Sequence, residues 1–175
     1  MANLPAPTIR PARDSDLAAI DLVHRDAFPG PDEAVLTAKL LGSALPRVSW
    51  VAEVDGRVVG HALLTPVTID SPGGVVLATG WGLAPVAVVT SHQRRGVGTA
   101  LLRGVLEHAR SLEPRFVIVL GHPEYYRRFG FQSAGLLGLT CDFGEGDPFM
   151  ILRFDGATLP AGHARYAEAF YDLPH

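Results

Sequence analysis

The run Ala84-Pro85-Val86-Ala87-Val88-Val89 is short, β-branched and apolar, the pattern of a buried strand. Downstream the period changes: Leu101, Leu102, Val105, Leu106, Ala109 and Leu112 share one helical face, with Arg103, Glu107, His108 and Arg110 elsewhere. Arg115 to Leu120 is again a continuous apolar run of strand length, so strand, helix and strand predict a right-handed parallel crossover. Upstream, Thr8 to Arg13 alternates like an edge strand. Asp14-Ser15-Asp16 offers helix caps before Leu17, Ile20, Val23 and Ala27, and Asp32 to Leu41 reads as a second helix closed by Gly42. Val48 to Val54 and Arg57 to Thr65 read as strands joined by Asp55-Gly56, a dipeptide suited to the positive φ angles of a tight hairpin. Val67 to Ile69 extends the second strand, Ser71 to Gly74 turns the chain, and Val75 to Thr79 leads through Gly80-Trp81-Gly82 into the strand before the loop. These glycines are read as a bulge or a crossing backbone. Phe149 to Phe154 is a further strand, and Gly162 to Phe170 a terminal strand or short helix. A mixed α/β sheet follows, with no internal repeat.

Between the strand at Val86 and the helix at Leu101 lies Gln93-Arg94-Arg95-Gly96-Val97-Gly98-Thr99-Ala100. Two glycines at a strand-to-helix junction leave no Cβ between backbone and ligand. The unpaired amides and dipole of the first helical turn favour a phosphate, and Arg94 and Arg95 add cationic donors. A Walker loop needs Lys followed by Ser or Thr after its last glycine, and here Thr99-Ala100 follow Gly98. A dinucleotide fingerprint needs a third glycine where Leu101 stands. The pattern points to a polyphosphate outside both of those classes.

Gln93, Gly96 and Gly98 match in register the Gln/Arg-x-x-Gly-x-Gly/Ala signature, and the chain resembles the GCN5-related N-acetyltransferases (GNAT). Pro85 to Val88 is similar to that family's cofactor strand, and Tyr125-Tyr126-Arg127-Arg128-Phe129-Gly130-Phe131 to its aromatic-Tyr-x-x-x-Gly-Phe segment. Gly121-His122-Pro123-Glu124-Tyr125-Tyr126 resembles a bacterial branch with a Gly-x-Pro-x-Tyr-Tyr turn. The resemblance implies one N-acetyltransferase domain over residues 1–175, with a mixed, mostly antiparallel central sheet flanked by helices. It implies acetyl-CoA as cosubstrate. The main chain of Val86, Ala87 and Val88 would pair with the pantetheine arm, and Gln93, Arg94, Arg95, Gly96, Val97, Gly98 and Thr99 would cradle the pyrophosphate. A strand amide near Val88 would hold the thioester oxygen. The acetyl group would pass directly, in a ternary complex, to a primary amine of a small molecule or peptide. The alternative is a non-catalytic acyl-CoA-binding sensor.

Within that frame Tyr126 is the candidate acid, since a phenol titrating at about 10 keeps its proton near neutrality. Many relatives carry a glutamate near the cofactor strand, and no carboxylate stands between Gly82 and Val89. His61, on the second hairpin strand, is the candidate base by its titration near neutrality. The other reading of His61 is a structural core histidine. Asp32 and Glu33 read as first-turn caps or as acceptor-side carboxylates, and His122 and Glu124 as turn residues or as partners that orient Tyr126. The carboxylates of Asp142, Glu145 and Asp147 read as a solvated loop or as an attractor of cations.

Composition narrows the classes. With 175 residues, 47% of them hydrophobic, the chain has material for one sizeable core. A formal charge of −3 and a pI near 6.1 predict no nucleic-acid or anionic-membrane partner. Cys141, the single cysteine, excludes an internal disulfide and reads as a small buried group. Met1 to Pro5 lacks a basic and apolar leader, so a cytoplasmic location is expected. The histidines form no zinc pattern, and no metal is expected. A homodimer is the assembly suggested by relatives that pair through C-terminal strands.

Overall fold

The computed structural model describes residues 5–144 and 146–174. Residues 1–4, on which the leader reading rests, and Glu145 of the acidic loop lie outside them. The chain forms two compact units: Met1–Leu63 with Pro85–Ala109 and Asp172–His175, and Leu64–Ala84 with Arg110–Tyr171. Strands β3 (Arg57–Asp70) and β4 (Val76–Val88) contribute residues to both.

In the first unit, β1 (Thr8–Pro11) pairs antiparallel with β2 (Val48–Val54), from Thr8 opposite Glu53 to Pro11 opposite Trp50. The β2–β3 hairpin turns on Asp55 and Gly56 at φ 50° and 75°, the left-handed pair that their sequence predicts. Arg10 of β1 donates to Asp16 at 2.7 and 3.0 Å and to Glu53 at 2.8 and 3.1 Å. The Arg10 hydrogen bonds hold the Asp16 carboxyl down at about 2. Helix α1 (Leu17–Ala27) buries Ile20, Val23 and His24 and packs with α2 (Asp32–Gly42). Gly42 is the last residue of α2 rather than the residue beyond it, and Ser43 stops the helix with its hydroxyl on the Leu40 carbonyl at 2.7 Å. Helix α3 (Val97–Arg110) buries Val97, Leu101, Leu102, Val105, Leu106 and Ala109, the stripe its periodicity predicts, while Leu112 lies beyond its end. It sits close on the sheet. A Cβ on Gly104 would stand 2.8 Å from Ile9 Cγ2, and one on Gly60 3.4 Å from Leu101 Cδ2, so small residues set this spacing.

In the second unit, β5 (Phe116–Leu120) runs parallel to β4, with Trp81 opposite Val117 and Gly82 opposite Ile118. On its other side β5 pairs antiparallel with β8 (Phe149–Arg153), which also takes the two-residue β6 (Gln132–Ser133). At Thr68–Asp70, β3 pairs antiparallel with β9 (Gly162–Arg165), and β9 pairs parallel with β7 (Leu139–Cys141). The architecture is a mixed, mostly antiparallel sheet with flanking helices. Three expectations are refined. Val67 to Ile69 belongs to one unbroken β3. The C-terminal segment is both a strand, β9, and a 3-10 turn at Glu168–Phe170. Finally, side chains rather than a crossing backbone explain Gly80 and Gly82: the Phe116 ring lies where a Gly80 Cβ would stand, and Val67 and Tyr166 crowd Gly82.

Candidate active site

The predicted anion loop lies in the first unit. After β4, a 3-10 turn at Thr90–His92 leads to Arg94 at φ 58° and Gly96 at φ 82°, and α3 begins at Val97. Ala100 N–H donates to Gly96 C=O at 3.0 Å. By helix geometry the preceding amides of Val97, Gly98 and Thr99 have no acceptor within the helix and point along its axis toward the loop. No atom lies within 4 Å of where a Gly96 Cβ would stand, and Arg94, Arg95 and Gly96 are exposed, so the cradle is open to an anion. The donor set fits a pyrophosphate.

The exposed side chain of Gln93 braces this loop. Its Nε2 donates to Val88 C=O at 2.9 Å. Val89 N–H bonds to Val59 C=O of β3 at 2.9 Å. By strand alternation the main-chain groups of Val86 and Val88 therefore face away from β3, and those of Ala87 face it. Pairing of β4 with β5 is confined to Trp81 and Gly82 among the described residues, so the ladder leaves Val86 to Val88 outside that pairing. Asp26, near the end of α1, accepts from Thr90 N–H at 2.6 Å and from Thr90 Oγ1 at 3.0 Å.

His61, expected as a titrating base, is fully buried with both ring nitrogens engaged: Nδ1 with His24 Nε2 at 2.8 Å and Nε2 with Ser49 Oγ at 2.9 Å. Burial holds both histidines well below the ordinary range near 6.5, so they are neutral in the folded protein. His24 packs on Phe28, and its Nδ1 is buried without a partner. Sequence reading missed this chain. Its one local signal is a histidine beside Ile20 and Val23 on the apolar stripe of α1.

In the second unit, the Pro123–Tyr126 segment is a single helical turn, α4, rather than a non-helical turn. Proline at its first position suits that start, and the His122 carbonyl accepts from Tyr125 and Tyr126 N–H, both at 3.1 Å. Tyr126 is 9% exposed and packed edge-on against Tyr125 and Phe131. A Cβ on Gly121 would overlap its ring, which explains the glycine of the motif. Burial, with Tyr125 adding to it, pushes the Tyr126 phenol up to about 12. Asp142 of the acidic loop bonds to His163 and Tyr171, both at 3.1 Å. Asp32 and Glu33 occupy the first turn of α2, where the helix dipole favours acids, and the N-cap itself is Pro31. Among the described residues no cluster of three metal-ligating side chains occurs, and no helix is long and apolar enough to cross a membrane.

A strand followed by an anion loop on a helix N-terminus, together with a parallel return strand, defines an α/β protein with a built anion cradle. The model of the acetyltransferase (GNAT) domain matches residues 8–134, and the chain belongs to that family. By family it is an acyltransferase. It is 41% identical over 124 residues to the uncharacterized N-acetyltransferase YjhQ of Escherichia coli K12, a match covering 67% of this chain and 65% of that protein. The crystal structure of the GNAT family N-acetyltransferase YhbS from Escherichia coli, in complex with CoA, superposes with a TM-score of 0.85 at 28% identity, covering 99% of this chain and 96% of that one. A GNAT family acetyltransferase from Brucella melitensis, in complex with acetyl-CoA, gives 0.77 at 32% identity, covering 94% and 97%.

Proposed function

We propose that the protein transfers an acetyl group from acetyl-CoA directly to a primary amine of a small molecule or peptide, the whole chain serving as one N-acetyltransferase domain. The family match runs through residues of both units. CoA and acetyl-CoA in the two similar structures support the cosubstrate. The observation that carries the reading is the preformed loop, open at Gly96 and ending on the amides of α3.

Acetyl-CoA supplies a thioester carbonyl that an uncharged amine can attack, forming a C–N bond and breaking the C–S bond. The α3 amides with Arg94 and Arg95 hold the pyrophosphate, and the edge main chain of Val86 and Val88 aligns the pantetheine arm. The Val88 amide stabilises the developing oxyanion. Tyr126 stays protonated at all working pH values. Its phenol, pushed up to about 12, is a weaker acid than a thiol at about 8.5, so complete proton transfer to sulfur runs uphill. That favours a hydrogen bond from Tyr126 to sulfur as the C–S bond breaks, so that CoA leaves as the thiolate and the proton lost from the attacking nitrogen reaches it through water. His61 is assigned a structural part, because its nitrogens are already bonded in the core. With no base assigned, the acceptor's ammonium loses its proton to water before attack, which supplies the uncharged amine.

Titration calorimetry with acetyl-CoA, NAD and ATP tests the reading. Saturable binding of acetyl-CoA alone, lost in Gly98→Leu, supports it, and preference for NAD or ATP overturns it. The strand's lack of a carboxylate favours one second reading, a non-catalytic acyl-CoA sensor. Tight binding with no turnover across an amine screen would select that reading.

A further inference from the structure

Asp26 stands where local rules disfavour it. It lies in the last turn of α1, where the helix dipole disfavours an acid, and it is exposed at the surface. Its carboxylate reaches across 64 residues of sequence to accept both the main-chain N–H and the hydroxyl of Thr90, at 2.6 and 3.0 Å. Thr90 is the first residue of the turn that leaves β4, and the Gln93 N–H closes that turn on the Thr90 carbonyl at 3.3 Å. The chain then passes Arg94 in the left-handed region, a conformation costly for a non-glycine residue, before reaching Gly96. A strained loop keeps its shape only where its ends are fixed. The Gln93 amide fixes one contact to Val88, and Asp26 fixes the turn from outside. Two residues earlier on the same helix, His24 is bonded to His61 in the core, so the helix end that carries Asp26 is itself tied down.

We propose that Asp26 is a positioning residue for coenzyme binding: it clamps Thr90 so that the Arg94–Thr99 loop is preorganised for the pyrophosphate. The proposal rests on the acetyl-CoA reading above. It also makes a prediction of opposite sign to simple electrostatics. A carboxylate near a polyphosphate repels it, so a bystander Asp26 would weaken binding, and its removal would tighten it. A clamp requires the reverse.

The test measures acetyl-CoA affinity by calorimetry, and amide hydrogen exchange of the peptide spanning residues 88–96 in the ligand-free protein, for wild type, Asp26→Ala and Asp26→Asn. Asparagine keeps an acceptor oxygen and loses the charge. The clamp predicts that Asp26→Ala weakens binding about tenfold, the scale of losing two hydrogen bonds, and accelerates exchange, while Asp26→Asn stays within about twofold of wild type. Unchanged or tighter binding by Asp26→Ala overturns the proposal, as does an asparagine variant as weak as alanine. If wild type itself fails to bind acetyl-CoA, the proposed function falls. The exchange comparison then decides the clamp alone: unaltered exchange in Asp26→Ala removes it, and faster exchange retains it.

Discussion

The anion loop and the tyrosine turn reach defined geometry by opposite means. Arg94 and Gly96 are exposed and held by backbone conformation and a few polar bonds, with open space where a Gly96 Cβ would stand. Tyr126 is held by packing, its ring filling the space that a side chain on Gly121 would need. A loop that must admit a highly charged ligand cannot be packed shut, so strain and hydrogen bonds specify it instead. A phenol that must keep its proton gains from burial, which raises its pKa. Conformational substitutions should therefore act on binding in the first region, and steric ones on stability in the second.

Gly121→Ala strikes that contrast hardest. The added methyl has no free volume beside the Tyr126 ring, and overpacking of this kind costs up to about 3 kcal/mol. Urea denaturation should show that loss, and a variant as stable as wild type would mean that the turn is not packing-defined. Tyr126→Phe keeps the ring and removes only the hydroxyl. Turnover should fall about 100-fold, the scale of removing one hydrogen-bond donor from developing charge, with acetyl-CoA affinity unchanged. A parallel loss of affinity would assign Tyr126 to binding instead.

Burial also predicts a pH response. The neutral His24–His61 pair has pKa values below the unfolded value of about 6.5, so at lower pH the unfolded chain binds more protons. Stability contributed by the pair is therefore present above about pH 6.5 and is lost as pH falls from there toward the folded values. Two such histidines cost about 2 kcal/mol between pH 7 and 5.5. Denaturation at the two pH values checks the sum, and His24→Gln should reduce the slope. An unchanged slope would mean that His24 titrates equally in both states.

Local patterns carried much of this organisation. The period change at Leu101, the Asp55-Gly56 turn and the Gln93 to Gly98 motif each act through neighbours in sequence, and each appears in the structure where the pattern places it. What the pattern missed is nonlocal or very short. His24 and His61 are 37 residues apart and Asp26 and Thr90 are 64 apart, separations that no period encodes. The one-turn α4 and the strands Gln132–Ser133 and Leu139–Cys141 are too brief for periodicity to register. Gly80 and Gly82 read as a bulge or a crossing backbone, whereas the groups that require them are side chains, the ring of Phe116 at Gly80 and Val67 and Tyr166 at Gly82.

The smallest effect isolates the loop's side of the comparison. Gly96→Ala adds a methyl that meets no atom within 4 Å, so sterics with the rest of the protein contribute nothing. What remains is the backbone: at φ 82° an alanine is disfavoured relative to glycine by about 1 kcal/mol. If the loop must hold this conformation to bind, that energy is divided between acetyl-CoA affinity, as up to roughly a fivefold weaker Kd, and global stability, the two losses together making about 1 kcal/mol. Calorimetry beside a denaturation curve separates the two. Full stability with weakened binding would show a loop that relaxes when unliganded and is reordered by the coenzyme. A loss of stability with an unchanged Kd would show a cradle rigid before the ligand arrives, because the strain is then present in the free and the bound protein alike. Kd and stability both unchanged would show that the left-handed conformation at Gly96 is not part of the binding geometry.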